Sequence, residues 1–151
     1  MSEQELRCLV IGVAGGRLIA PGSLVIEVLP YAQPLRVQNA PGWVLGSLLW
    51  RARTIPLLGV EPLLLGRETE PGVRSRIVVL KTPSERVEYL GFVAQEVPQL
   101  TLVTREHLRA DDDTPCPQGM LRAVLWQGGR TYIPDFDWFC TELAALGIYR
   151  S

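Results

Sequence analysis

The chain has 151 residues, 47% hydrophobic and 21% charged, with 15 Lys and Arg against 16 Asp and Glu and a formal net charge of −1. That composition fits one folded domain, or two very small ones sharing a core. The charge balance carries no basic footprint of a nucleic-acid binder and leaves room only for a locally basic face, and no apolar run approaches the roughly 20 residues that cross a bilayer as a helix.

The start, MSEQELRCLVIG, is polar and lacks the basic stretch and apolar core of a secretory leader, so a cytoplasmic protein without membrane insertion is expected. Residues 6–13 are apolar and β-branched and run into Ala14-Gly15-Gly16, a turn that points to a hairpin with residues 17–20. Pro21-Gly22-Ser23 breaks that strand, with Ser23 a candidate cap for one helical turn. Residues 25–29 alternate around Glu27 as a further strand. A polar connection over 33–40 leads to a hairpin of residues 45–50 and 54–58 around Arg51-Ala52-Arg53. A short helix over 59–66 follows, with proline near its start and glycine at its end.

Residues 67–75 are charged, contain Pro-Gly and have no apolar face, which makes them a linker. Strands are predicted over 77–81, 86–93 and 97–103, and a second polar loop over 104–119 carries Asp111, Asp112 and Asp113. Residues 137–146 close the chain as a helix, with Phe139, Leu143 and Leu146 at helical spacing, Asp137 as N-cap and Gly147 as stop. Many short strands at regular spacing favour a barrel or sandwich.

One phrase occurs twice. LGSLLWRARTIPLL over 45–58 matches LRAVLWQGGRTYIPDF over 121–136, with Trp50 opposite Trp126 and Pro56 opposite Pro134, and a slightly longer turn in the second copy. Each copy leads into a short helix, so the chain reads as two related halves.

The ordered series carries a resemblance. It comprises Val25-Ile26-Glu27-Val28, Asn39-Ala40-Pro41-Gly42-Trp43-Val44-Leu45-Gly46, Arg51, Ile55-Pro56, then Ile77-Val78-Val79-Leu80, Gly91-Phe92-Val93 and the repeated phrase. In this order the chain resembles the chemotaxis coupling proteins, the CheW-like family. The family usually reads N-L-R-G where this chain has Leu49-Trp50-Arg51-Ala52, so the resemblance is to a divergent or accessory member. It implies a mostly β fold of two small five-stranded barrels side by side over residues 6–146. A first barrel of about 6–66 and a second of about 76–136 would be joined by the linker 67–75, with the C-terminal helix over 137–146.

The resemblance also implies a function. Such a domain is a non-catalytic adaptor between a chemoreceptor's cytoplasmic helical hairpin and the regulatory domain of a chemotaxis-type histidine kinase. Val25 and Glu27 would line a groove that takes a partner helix, with Arg51 near them. A carboxylate and a guanidinium in reach form a charge-assisted pair. Arg53 reads as a solvated hairpin residue.

Nothing in the sequence assembles an enzyme. His107 stands alone, Ser23 and Ser47 lack a nucleophile-elbow context, and the three aspartates of residues 111–113 lack the spacing of a calcium loop. Cys8, Cys116 and Cys140 form no CxxC pair, so neither metal nor cofactor is expected. The alternative is a small β-barrel that binds a nucleic acid or small ligand through Trp126, Tyr132, Phe136, Trp138 and Phe139, but acids outnumber bases beside these aromatics.

Overall fold

A computed structural model of the protein describes residues 5–149; the residues 1–4 of the polar start lie outside the described residues. The first stretch of chain forms strands β1 (Glu5–Val13), β2 (Gly16–Pro21), β3 (Val25–Pro30), β4 (Val44–Trp50) and β5 (Arg53–Leu58), then helix α1 (Glu61–Leu65). The second forms β6 (Arg76–Lys81), β7 (Tyr89–Ala94), β8 (Gln99–Thr104), the two-residue β9 (Arg109–Ala110), β10 (Met120–Trp126) and β11 (Gly129–Pro134), then helix α2 (Phe136–Ala145).

The strands form two sheets. One runs β8-β1-β2-β11-β10-β9 and the other β3-β6-β7-β5-β4, so the fold is mostly β, with five equivalent strands in each sheet and β9 an added sixth in the first. The repeated phrase is the hairpin β4–β5 and again the hairpin β10–β11. Val44 pairs with Leu58, Ser47 with Pro56 and Trp50 with Arg53 in one copy; Met120 with Pro134, Ala123 with Tyr132 and Trp126 with Gly129 in the other. Even the irregularity recurs, at Leu45 between Val44 and Gly46 and at Leu121 between Met120 and Arg122. Trp50 and Trp126 hold the same place.

The turns are also alike, which corrects the expectation of a longer second one and, with it, the matching of Pro56 to Pro134: counted from equal turns, Pro56 stands where Tyr132 does and Leu58 where Pro134 does. Arg51 and Ala52 (φ 47° and 61°) and Gln127 and Gly128 (φ 49° and 72°) are both two-residue turns, with positive φ at each central residue, as a type I′ turn requires. Ala52 occupies without glycine the place that Gly128 holds. A left-handed L-residue costs about 1–2 kcal/mol, partly offset by glycine's greater loss of chain entropy. Ala52→Gly is therefore expected to stabilise the protein by about 0.5–1 kcal/mol, read as a higher urea midpoint at unchanged slope.

The halves do not fold as contiguous barrels. The first sheet takes β1 and β2 from the first stretch but β8, β10 and β11 from the second, while the other sheet takes β6 and β7 together with β3, β4 and β5. The crossings are the parallel pairs β5–β7 and β11–β2 and the antiparallel pairs β3–β6 and β1–β8. A division at 6–66 and 76–136 therefore does not describe the sheets. Each half lends its leading hairpin to the other, because a strand edge offers the same backbone donors and acceptors to any partner that burial brings alongside.

Three apolar clusters follow. Ile77, Val79, Leu48, Trp50, Ile55 and Leu57 fill the interior of the β3-to-β4 sheet, and Cys8, Ile19, Val103 and Trp126 that of its counterpart. Between the sheets lies the largest cluster, with Ile11, Leu18, Leu58, Leu80 and Phe92 from strands of both, and Phe136, Phe139, Cys140 and Leu143 from α2. Asp135 caps α2, its carboxylate accepting from Trp138 N at 3.1 Å, whereas Asp137 lies inside the first turn. Ser23 makes no cap bond to the 3-10 turn Gly22–Leu24. Glu61, 3% exposed, ties α1 to both sheets: its Oε2 accepts from Ala14 N (3.1 Å) and Gln95 Nε2 (3.3 Å).

Candidate partner-binding site

Glu27 and Arg51 are brought together from strands at opposite ends of one sheet's order. Glu27 lies mid-way along β3 and pairs with Val79; Arg51 is the first turn residue after β4. The guanidinium donates to Glu27 Oε1 at 3.2 Å, and the side chains are 61% and 38% exposed. At that exposure the pair contributes about 0–1 kcal/mol to stability.

The residue that places the pair is Trp50. Its indole Nε1–H donates to the same Glu27 Oε1 at 3.0 Å, while the ring is 6% exposed. The Arg51 guanidinium lies 4.6 Å from the Trp50 ring centre, a cation–π stack. The type I′ turn carries Arg51 back over the preceding tryptophan, and Glu27 closes the gap between the sheet's edge strands. Trp50 also packs against Tyr89 at 5.0 Å between ring centres. Arg53 lies over that tyrosine at 5.0 Å and pairs with Glu88 while its side chain stays exposed to solvent.

Val25 sits at the start of β3, half-buried and packed on the cluster between the sheets. It shares a strand with Glu27 but not its contacts, and Ile26 bulges between them. Ile26 and Val28 are the exposed apolar residues of the strand, at 37% and 40%. Sequence reasoning found Glu27 and Arg51 and missed Trp50, Tyr89 and Glu88. The adjacency of Trp50 to Arg51 was the available signal, since stacking needs only neighbours across a tight turn.

The aromatics that a nucleic-acid barrel would expose are packed inside. Tyr132, Phe136 and Phe139 are buried between the sheets, Trp138 packs against them, and Trp138 and Phe139 meet edge-on at 5.1 Å. Among the described residues no group of three His, Cys, Asp or Glu side chains is placed to hold a metal ion. His107 Nδ1 is bonded to Thr104 Oγ1. Burial pushes the Cys8 and Cys140 thiols up, which keeps both protonated and inert. No described helix is long and apolar enough to cross a membrane.

A model of the CheW-like domain matches residues 7–137. Among solved structures, the chain is similar to the scaffolding protein TtCheW from Thermoanaerobacter tengcongensis, at 12% identity and a TM-score of 0.70, over 87% of this chain and 90% of that one. At that identity the likeness concerns the fold. No curated protein matches the chain.

Proposed function

This chain belongs to the CheW-like domain family, and from that premise we propose that it is a non-catalytic adaptor coupling chemoreceptors to a chemotaxis-type histidine kinase in a chemotaxis or surface-motility pathway. The observation that carries the reading is the family match over residues 7–137. The partners are the kinase's regulatory domain and the receptor's cytoplasmic helical hairpin, and neither a nucleic acid nor a cofactor enters. Val25, Glu27 and Arg51 form the partner-facing rim, with Ile26 and Val28 supplying exposed apolar anchors beside them. An amphipathic helix laid along such an edge takes its affinity from apolar anchors and its register from rim charges.

The test is Arg51→Glu. Two exposed carboxylates then face one another, at a cost to folding of about 1 kcal/mol or less. Loss of a steering charge slows association and changes its salt dependence. The expected result is a nearly unchanged melting transition, with binding to the kinase regulatory domain weakened about tenfold, which corresponds to about 1.4 kcal/mol. Unchanged binding by calorimetry at low and high salt would remove Arg51 from the interface. The exchange Glu27→Arg with Arg51→Glu restores opposite charges but takes the acceptor from Trp50 Nε1, so it is expected to recover stability only in part and binding not at all.

A further inference from the structure

The internal repeat supplies a template for a second site. The β4–β5 and β10–β11 hairpins correspond residue by residue. Leu57 of β5 lies beside Gly91 of β7, and Thr131 and Tyr132 of β11 lie beside Arg17 and Leu18 of β2. Carried along these registers, Tyr89 is matched by Arg17 and Val79 by Val10. Glu27 pairs with Val79, and Gln99 with Val10. Gln99 therefore stands where the other sheet has its carboxylate, Gln127 where it has Arg51, and Arg17 where it has Tyr89.

The chemistry at the two places is inverted. At Trp50 the acceptor is internal, since Glu27 takes both the indole N–H and the Arg51 guanidinium. At Trp126 the cation is present and the acceptor is missing. Arg17 lies over the Trp126 ring at 4.9 Å and donates to the Trp126 carbonyl. No described carboxylate pairs with Arg17, and no described residue accepts from the Trp126 indole N–H; most of the side chain is buried, but the N–H itself stays within reach of solvent. A cavity of about 620 Å³ opens there, lined by Arg17, Gln99, Trp126 and Gln127, with Glu96 also on its wall. Thr69 Oγ1, on the same cavity, is buried and without a partner.

We propose that this cavity is a docking site for an acidic protein segment, with a partner's glutamate or aspartate side chain filling the place that Glu27 fills in the other sheet. The carboxylate would accept from the Trp126 N–H and from Arg17, whose ring-stacked guanidinium is held ready for a charge-assisted bond. Trp and Arg around a recess are the residue types that anchor protein interfaces. The volume exceeds what a carboxylate alone fills, which suits a side chain arriving on its backbone. This site is separate from Arg51 and stands whether or not Arg51 meets the kinase.

The test follows the Trp126 indole N–H resonance of the full chain, assigned with Trp126→Phe, during titration with a capped Ala-Glu-Ala tripeptide. The same titration is run with capped Ala-Gln-Ala and with inorganic phosphate. A saturable shift is expected with the glutamate peptide, about tenfold weaker with the glutamine peptide, a difference of about 1.4 kcal/mol. Arg17→Ala should abolish it. So should Gln99→Glu, which supplies the missing carboxylate from within; because Gln99 is exposed, this variant carries the test even if Arg17→Ala does not fold. No saturable shift, equal shifts with both peptides, or a shift that survives Gln99→Glu overturns the proposal. Tighter binding of phosphate than of the glutamate peptide also overturns it, in favour of a free-anion site.

Discussion

Trp50→Ala is expected to lower the free energy of unfolding by about 3–5 kcal/mol, the range for removing a large aromatic from a packed interior. The side chain is 6% exposed and belongs to the cluster of Leu48, Ile55, Leu57, Ile77, Val79 and Val93. Its loss also removes a donor to Glu27 and the platform under Arg51. Trp50→Phe separates the two contributions. It keeps most of the packing and the cation–π face but deletes the N–H, so about 0.5–1.5 kcal/mol is expected, the worth of one hydrogen bond. Urea unfolding followed by far-UV circular dichroism gives both values. If the alanine variant loses less than the phenylalanine one, the packing role assigned to the ring is wrong. On the proposed role of Arg51 at a kinase interface, both variants should also weaken that binding beyond what stability explains, because Arg51 loses part of what orients it.

Phe139→Ala should cost a similar amount, about 3–5 kcal/mol, and should do so for the whole molecule at once. Phe139 is fully buried and meets Trp43, Phe92 and Trp138 at 5.3, 5.5 and 5.1 Å between ring centres. Phe92 comes from β7, Trp43 from the turn before β4, and the surrounding cluster draws on both sheets. Since every half lends strands to both sheets, neither sheet has a stretch of chain to itself that could stay folded alone. Loosening the shared core should therefore shift one cooperative transition. Parallel melts read at the tryptophans and at the far-UV band should move together. Two separated transitions in the variant would show that the sheets hold themselves independently of the core between them.

Much of the molecule could be read from local stretches of chain. The β4–β5 and β10–β11 hairpins, the glycine-ended α1 and the apolar spacing of α2 are each encoded within a dozen or so neighbouring residues, where turn chemistry and side-chain period act directly. The repeat was legible for the same reason: two copies of one phrase make two copies of one hairpin. The ordered motifs placed the chain among CheW-like domains and singled out Glu27 and Arg51. Finer local points are not fixed by the local sequence, because neighbouring choices differ little in energy. Asp135 and Asp137 are both capable caps, and φ/ψ at Asp135 (−96°, 93°) puts the break there.

What the tertiary structure alone decided is who pairs with whom. Sequence gives β2 and β7 apolar edges but does not say which hairpin each will meet. That choice is made when the core between the sheets closes, and it sent each leading hairpin to the other half's strands. The contacts at Trp50 and Trp126 follow from that exchange. Trp50 reaches Glu27 because β3 and β4 end up at opposite edges of one curled sheet. Arg17 reaches Trp126 only because β2 lies against β11, a contact between residues more than a hundred positions apart. Local rules fix hairpins and helix ends because their energies depend on adjacent residues; contacts of long sequence separation depend on the burial of the whole chain, and only the folded molecule expresses them.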